Sequence, residues 1–311
     1  MSGQLREENE LQERNRLWWD RNPMSYDWCK TIAAPEGTRE FFEEIDARFL
    51  QASAFCGGER AFARLIPFDD LKGKRVLEIG CGLGCHAQLL AEAGCILTAI
   101  DLTPRAVELT RKRLSLKGIT ADVRVMDAEQ MELEDEQFDF VWSWGVVHHS
   151  ASPARIVREA YRVLKPSGEF RLMVYHRRSL CAYINVVRGV LSGKLFQGLS
   201  VAGILNSYSD GYIARFYTRS ELLQMIRSCG FSKVSIQTLG QTSDLIPLPG
   251  SGPGGRLKSA LLSVFPNALA ERVLSRIGSF LFAIAVKNED GSPGLLPEKG
   301  SPQARGSPGQ A

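Results

Sequence analysis

The chain has 311 residues, of which 44% are hydrophobic and 23% are charged, and its formal net charge is +3. These values are ordinary for a folded protein and allow one sizeable hydrophobic core. They argue against a membrane-embedded chain, because no apolar run approaches the roughly 18 residues that a membrane span needs. The polar, acidic stretch of residues 1–13 lacks the apolar core of a secretory signal peptide.

Seven cysteines are scattered along the chain without any Cys-x-x-Cys pair. An odd number without metal-ligand spacing predicts neither a disulfide framework nor a zinc site, and it favours a reducing, cytoplasmic location. We interpret Cys81 and Cys85 as small side chains that fill a tight turn.

Charge is distributed unevenly along the chain. Residues 1–150 carry 18 Lys/Arg and 26 Asp/Glu, a balance of −8, whereas residues 151–311 carry 20 and 9, a balance of +11. A basic half can attract an acidic substrate, an anionic membrane surface or nucleic acid. Because its basic residues form no dense run, a solvated basic face is the simpler interpretation.

Residues 1–70 are predicted to form an N-terminal helical cap. Helices are expected over residues 5–17, over residues 36–50, where Phe41, Ile45 and Phe49 recur near helical spacing, and over residues 59–66. An aromatic cluster follows, which consists of Trp18, Trp19, Tyr26 and Trp28. These rings could cap the site from the N-terminal helices or simply pin those helices down; pinning is favoured, with Tyr26 as the exception.

Strands and helices alternate between residues 71 and 178. The predicted strands cover residues 75–79, 96–100, 121–126, 138–143 and 169–175, and one intervening helix begins with the cap Thr103-Pro104. Such alternation predicts an α/β fold with a doubly wound, mostly parallel sheet.

After Tyr175 the alternation stops. Residues 179–217 are apolar with scattered charges, and we interpret them as a helical insert that forms a lid. The capping box Thr218-x-x-Glu221 opens a helix in residues 218–288, which also contain predicted strands at 232–238 and 280–286. Residues 241–255 are predicted to form a loop, and residues 289–311 have the composition of a disordered tail.

The turn after the first strand contains three glycines, Gly80, Gly82 and Gly84, preceded by Glu78. Glycines let the backbone approach a ligand closely, and the carboxyl edge of an open α/β sheet is where ligands bind. A dinucleotide site prefers the spacing G-x-G-x-x-G, but Cys85 stands at its third glycine position. The Glu78 carboxylate would repel a pyrophosphate and attract an ammonium group, which favours S-adenosylmethionine.

Acidic residues also follow the next two strands. A carboxylate at Asp101 can accept ribose hydroxyls, although dinucleotide enzymes use the same device, and one at Asp127 can accept a hydrogen bond from an adenine amine. Each acid alone would more often be a helix cap or a surface charge. Acids at three successive strand ends are a much stronger indication of a nucleotide site.

The sequence at this point resembles the class I S-adenosylmethionine-dependent methyltransferases, and most closely their small-molecule branch, which includes the ubiquinone and menaquinone biosynthesis methyltransferases. Matching segments fall in the expected order within about residues 70–176: the Glu78–Gly84 turn, Asp101, Asp127-Ala128, Phe138-Asp139, His148-His149 and Arg162 to Gly168. Ser167 departs from the glycine that is commoner there. The resemblance implies a Rossmann-like sheet of seven strands that ends in a reversed strand pair.

The resemblance also implies the roles of individual residues. Glu78 would orient the methionine amino group, Asp101 would hold the ribose, and Asp127 and Ala128 would hold the adenine. The full set of expected cofactor-binding residues is Glu78, Gly80, Cys81, Gly82, Gly84, Asp101, Leu102, Asp127, Ala128, Ser143 and Trp144.

Methyl transfer needs alignment of the nucleophile, exclusion of water and sometimes removal of a proton. His148 and His149 follow the fourth strand and could act as the base, with His148 preferred, although either could serve only in packing. Tyr175 follows the fifth strand and is a third candidate catalytic residue. Candidate substrate-binding residues are Tyr26, His176, Tyr208 and Tyr217. No metal site is expected.

The expected acceptor is a small molecule methylated on oxygen, carbon or aliphatic nitrogen, and an amphipathic quinone-, lipid- or polyketide-like compound would suit the apolar, basic insert. The chain has no Asp/Asn-Pro-Pro-Tyr motif, which argues against methylation of nucleic-acid bases. No nucleic-acid partner and no transmembrane segment are expected, whereas peripheral membrane contact stays open. The alternatives are a non-catalytic S-adenosylmethionine-binding protein and, less favoured by the glycine spacing, an NAD-dependent oxidoreductase.

Overall fold

The computed structural model of the protein describes residues 3–24, 32–52, 60–246, 258 and 267–290. The strands are β1 (Arg75–Ile79), β2 (Ile96–Asp101), β3 (Asp122–Val125), β4 (Phe138–Trp144), β5 (Leu164–His176), β6 (Phe216–Tyr217), β7 (Lys233–Leu239) and β8 (Phe280–Val286). The α-helices are α1 (Gly3–Arg21), α2 (Arg39–Ala52), α3 (Cys85–Glu92), α4 (Pro104–Leu116), α5 (Pro153–Val163), α6 (Leu180–Leu191), α7 (Val201–Asn206), α8 (Arg219–Ser228) and α9 (Asn267–Ile277).

The strands form one sheet in the order β3-β2-β1-β4-β5-β8-β7, with β6 paired to β5. Neighbours from β3 to β5 run parallel, and β8 runs antiparallel to both β5 and β7. This confirms the doubly wound, mostly parallel α/β sheet and the reversed strand pair. The sheet has eight strands instead of seven because the two-residue β6 pairs with the end of β5.

Both faces of the sheet are buried, as parallel strands with helices on each side require. Alternate residues of β4 belong to two different clusters of buried hydrophobic side chains. Trp142 lies in one cluster and Val141 in the other, and each is 0% exposed. Among the described residues, no helix combines the length and the hydropathy that a membrane crossing needs.

Helix caps fix where the elements that carry the site begin. The hydroxyl of Thr103 accepts a hydrogen bond from the backbone N–H of Ala106, and Pro104 opens α4. At α8 both halves of the Thr218–Glu221 capping box are present. Both caps confirm the sequence prediction.

The predicted helix over residues 59–66 is wrong, since its described part, residues 60–66, forms turns. Phe62 has a φ of 64°, in the left-handed region, and its ring is fully buried. Burying this ring takes precedence over local helix propensity. The strand predicted from residue 169 begins earlier, at Leu164, and Ser167 adopts a φ of 63° beside a shift in the β4–β5 register.

Candidate active site

A cavity of about 560 Å³ opens at the carboxyl edge of the sheet. Its walls come from the segments that follow β1, β2, β3 and β4 and from the end of β5, with α1 and α6 among the helices that contribute. This edge is where the topology brings the ends of parallel strands together.

The glycine turn after β1 forms one wall. Gly80, Gly82 and Gly84 have φ values of 77°, 52° and 79°, which L-residues with side chains rarely adopt. A Cβ atom on Gly80 would lie 2.2 Å from the Val146 side chain, whereas one on Gly82 would meet nothing within 4 Å. The backbone at Gly82 therefore borders open space that a ligand can enter.

Asp101 lines the cavity and braces this turn. One of its carboxylate oxygens accepts a hydrogen bond from the backbone N–H of Gly82 at 3.0 Å, and the other accepts from the backbone and hydroxyl of Thr103. Burial raises the pKa of Asp101, and these hydrogen bonds oppose the rise.

Asp127 and Ala128 line the cavity at the end of β3. Oδ1 of Asp127 accepts from the backbone of Glu129 at 2.9 Å and from the side-chain amide of Gln12 at 3.1 Å. Gln12 also accepts from the backbone N–H of Ala151, so α1 is tied to two of the turns that form the cavity.

Glu78 lies behind the cavity wall, where its side chain is 1% exposed. Its Oε1 is 3.9 Å from Nδ1 of His86, a cavity-lining residue, and its Oε2 has no hydrogen-bond partner among the described residues. Burial and the nearby Asp101 raise the pKa of Glu78 well above its ordinary value, and Arg113 opposes the rise. Burial lowers the pKa of His86 to about 3, so this ring is neutral.

His149 lines the cavity, and its surroundings select one tautomer. Its Nδ1 donates to the carbonyl of Ile213 at 2.5 Å, which leaves the lone pair on Nε2. The ring packs edge-on against Trp19 with the centroids 5.0 Å apart. Burial and the charge of Arg215 lower the pKa of His149 to about 4, although the hydrogen bond to Ile213 raises it.

His148 is fully buried and is not among the residues that line the cavity. The centroid of its ring lies 4.0 Å from the ring centroid of Tyr175, which does line the cavity. Burial and the neighbouring His149 hold the pKa of His148 well below its ordinary value. Burial raises the pKa of Tyr175, so its phenol stays protonated.

The remaining predicted site residues divide by position. Those that the structure brings to the cavity, besides the residues already described, are Cys81, Leu102 and Trp144. Those outside its lining are Glu78, Gly84, Ser143, His148, His176, Tyr208 and Tyr217. His176 instead donates to the carbonyl of Gly278, and Tyr208 lies beneath the ammonium of Lys194. Tyr26 lies outside the described residues.

The sequence predicted an N-terminal helical cap and a helical lid, but not the residues by which two of their helices line the cavity. On α1, the cavity-lining residues Gln12, Asn15 and Trp19 are spaced i, i+3 and i+7, and Oδ1 of the buried Asn15 has no partner among the described residues. On α6, residues 181, 184, 185 and 188 line the opposite end. This helical spacing is the signal that could have identified both faces.

Comparison with known proteins agrees with this geometry. Residues 77–172 match the family described as "Methyltransferase domain". The ubiquinone biosynthesis O-methyltransferase of Pseudomonas aeruginosa is 35% identical over 120 residues, which cover 38% of this chain and 51% of that protein. The enzyme of the same name from Xanthomonas oryzae is 34% identical over 119 residues, covering 38% and 50%. The chain thus spans about half the length of the curated relatives it matches.

A solved structure shares the fold. In the complex of the Haloferax volcanii Trm112 methyltransferase activator with a protein described there as a methyltransferase, one chain superimposes with a TM-score of 0.52 at 17% identity. The match covers 86% of this chain and 99% of that one. The sequence match over residues 77–172 and the shared fold together support a resemblance to the class I S-adenosylmethionine-dependent methyltransferases, including those of ubiquinone biosynthesis, which confirms the resemblance and the cofactor inferred from the sequence.

Proposed function

We propose that this chain transfers a methyl group from S-adenosylmethionine to oxygen, carbon or aliphatic nitrogen of a small-molecule acceptor. One observation supports this most strongly: the same cavity is lined by the glycine turn after β1 and Asp101 of β2, and also by His149 after β4 and Tyr175 of β5. In the strand order β2-β1-β4-β5 these two pairs of elements lie side by side, and we take them as the two ends of the cavity. A cofactor and an acceptor bound at these two ends would face each other.

The residues at the first end fit S-adenosylmethionine chemically. Asp101 would accept from the ribose hydroxyls, and Asp127 would accept from the adenine amine. Glu78 lies behind the lining, and its unpartnered oxygen would orient the methionine ammonium group directly or through water. The open space over Gly82 leaves room for the methionine part. When bound, the cofactor supplies a methyl carbon that is activated by the adjacent sulfonium.

His149 is the proposed base. Its Nδ1–H is committed to the carbonyl of Ile213, so Nε2 can accept a proton from an acceptor hydroxyl as the new bond forms. Tyr175 is a neutral phenol that can donate a hydrogen bond to the acceptor. Trp144, Met173 and Phe280 line the same region and would exclude water.

The acceptor end combines apolar and polar groups. Ile184 and Phe280 offer apolar surface, whereas Asn185 and Arg188 offer hydrogen-bond donors. This mixture suits an amphipathic acceptor, such as a quinone-, lipid- or polyketide-like compound carrying a hydroxyl group.

Turnover with labelled S-adenosylmethionine and cell extract as the acceptor source tests this proposal. We expect a labelled product, identified by mass, together with S-adenosylhomocysteine. His149→Asn should slow turnover by about 10²–10⁴-fold while cofactor affinity is kept. His176→Asn is the matched control, because His176 is buried outside the cavity lining. Cofactor binding without S-adenosylhomocysteine formation from any fraction would instead favour a non-catalytic binding protein.

A further inference from the structure

The insert carries an exposed apolar surface. Two of its side chains stand out: Leu191 is 82% exposed and Phe196 is 94% exposed. We call this surface the insert face, and it comprises Tyr183, Val187, Val190, Leu191, Leu195, Phe196 and Val201. Contiguous exposed apolar surface is uncommon on a protein without a binding partner there.

The insert-face residues of α6 lie on a different side of the helix from the residues that line the cavity. Tyr183, Val187 and Leu191 follow each other at i+4 spacing, whereas the cavity-lining positions are 181, 184, 185 and 188. On a third side, Gly189 packs so closely on α7 that a Cβ there would lie 2.3 Å from Ile204. The insert face is therefore not used in packing α6 against the body of the protein.

The segment that carries the insert face is basic: residues 177–209 contain Arg177, Arg178, Arg188 and Lys194 but no Asp or Glu. Arg177 pairs with Glu221 and Arg188 lines the cavity, so Arg178 and Lys194 are the cations that flank the insert face. Arg178 is exposed at the start of the insert. Lys194 lies between Leu191 and Leu195 and is held by a hydrogen bond to the Ser207 hydroxyl.

We propose that the insert face docks on an anionic membrane surface. Apolar side chains flanked by cations are the combination that holds a helix in the interface of an anionic bilayer. A second copy of the chain is a poorer occupant, since a symmetric contact would bring Arg178 and Lys194 of both copies together, and residues 177–209 contain no Asp or Glu to offset them. Because the opposite side of α6 lines the cavity, such docking would bring the acceptor end close to the lipid.

Co-sedimentation of the full chain with lipid vesicles, without cofactor or acceptor, tests this proposal independently of methyl transfer. We expect binding to vesicles of equal parts phosphatidylcholine and phosphatidylglycerol that weakens at high salt, and little binding to pure phosphatidylcholine. Leu191→Ser combined with Phe196→Ser should weaken partitioning at least about tenfold. Arg178→Glu should weaken it about fivefold or more.

Ile96→Ser is the matched control, because Ile96 is 59% exposed at the start of β2, away from the insert. It should bind like the unaltered protein, and near-ultraviolet circular dichroism should show that all variants are folded. The proposal is overturned if the unaltered protein binds neither vesicle, if it binds both equally, or if the double variant binds as well as the control. It is also overturned if the insert face instead mediates self-association, detected as a dimer that the double variant abolishes.

Discussion

Glu78 is a carboxyl group in an unfavourable place for the protein on its own. Burial raises its pKa well above 4.5, and one of its oxygens is unpartnered among the described residues. Such groups concentrate where a ligand will later satisfy them, at a cost in stability. The sequence alone indicated Glu78 from its spacing to the glycines, but it could not show that His86 lies beside it.

Replacing Glu78 should therefore stabilise the cofactor-free protein. The pKa of Glu78 is higher in the folded protein than in the unfolded chain, so the folded protein binds the proton more tightly. The free energy of unfolding therefore falls as the pH rises from about 4.5 towards the folded pKa. Glu78→Gln cannot ionise, so we expect its gain in Tm to be larger at pH 8 than at pH 5, equivalent to about 1–3 kcal/mol. Thermal unfolding at both pH values measures this, with Glu108→Gln, an exposed position, as the control. Equal gains at the two pH values would contradict the prediction.

His149 should work as a base over an unusually wide pH range. Its pKa of about 4 means that the ring is neutral throughout the physiological range. We expect the kcat of the saturated enzyme to show no inflection from this base near pH 6.5 and to fall only as the pH approaches about 4. The pH profile of turnover measures this, and an inflection near 6.5 that disappears in His149→Asn would show that the ring titrates as an ordinary histidine.

The segment that returns from α7 to the sheet holds the histidine turn in place. The carbonyl of Ile213 fixes the ring of His149, and the guanidinium of Arg215 donates to the carbonyls of Ser150 and Ala151. Gly211 permits this contact, because its φ is +90° and a Cβ there would lie 2.6 Å from Nδ1 of His149.

Gly211→Ala should displace His149 and slow turnover by about tenfold or more, because catalysis depends on sub-ångström placement of the base. Cofactor affinity should change little, since the cofactor end of the cavity is formed by other elements. Gly198→Ala is a close control: Gly198 lies in the same insert with a φ of +84°, but a Cβ there would meet nothing within 4 Å. Comparison of kcat and cofactor Kd in both variants tests this, and equal effects on kcat would show that backbone strain alone is responsible.

Single elements differ in how well the sequence predicts them. β1 and β8 have the bounds that the sequence predicts, residues 75–79 and 280–286, because most of their residues are buried and leave little choice of register. Residues 60–66 were mispredicted because a single buried ring, that of Phe62, decides their conformation. The division of the chain at residues 70, 178, 217 and 288 stays a prediction.

At the scale of the whole molecule, the sequence predicts the sheet and its ligand-binding edge, but not how the helices α1 and α6 close the cavity above that edge. We call these two helices the roof of the cavity. Alternating strands and helices dictate that Asp101 and Asp127 meet at one edge. The roof depends on contacts between distant residues, such as Gln12 with Asp127, which are 115 positions apart. The spacing along α1 can indicate which of its faces is buried, but it cannot show that this face meets Asp127, so the partner of Gln12 could not be predicted.

The most direct test is calorimetric titration of the full chain with S-adenosylmethionine. We expect one cofactor per chain. Glu78→Gln should bind at least about tenfold more weakly, because it cannot offer a carboxylate to the ammonium group. Absence of binding, or equal affinity in the unaltered protein and in Glu78→Gln, would contradict the assignment of this cavity as the S-adenosylmethionine site.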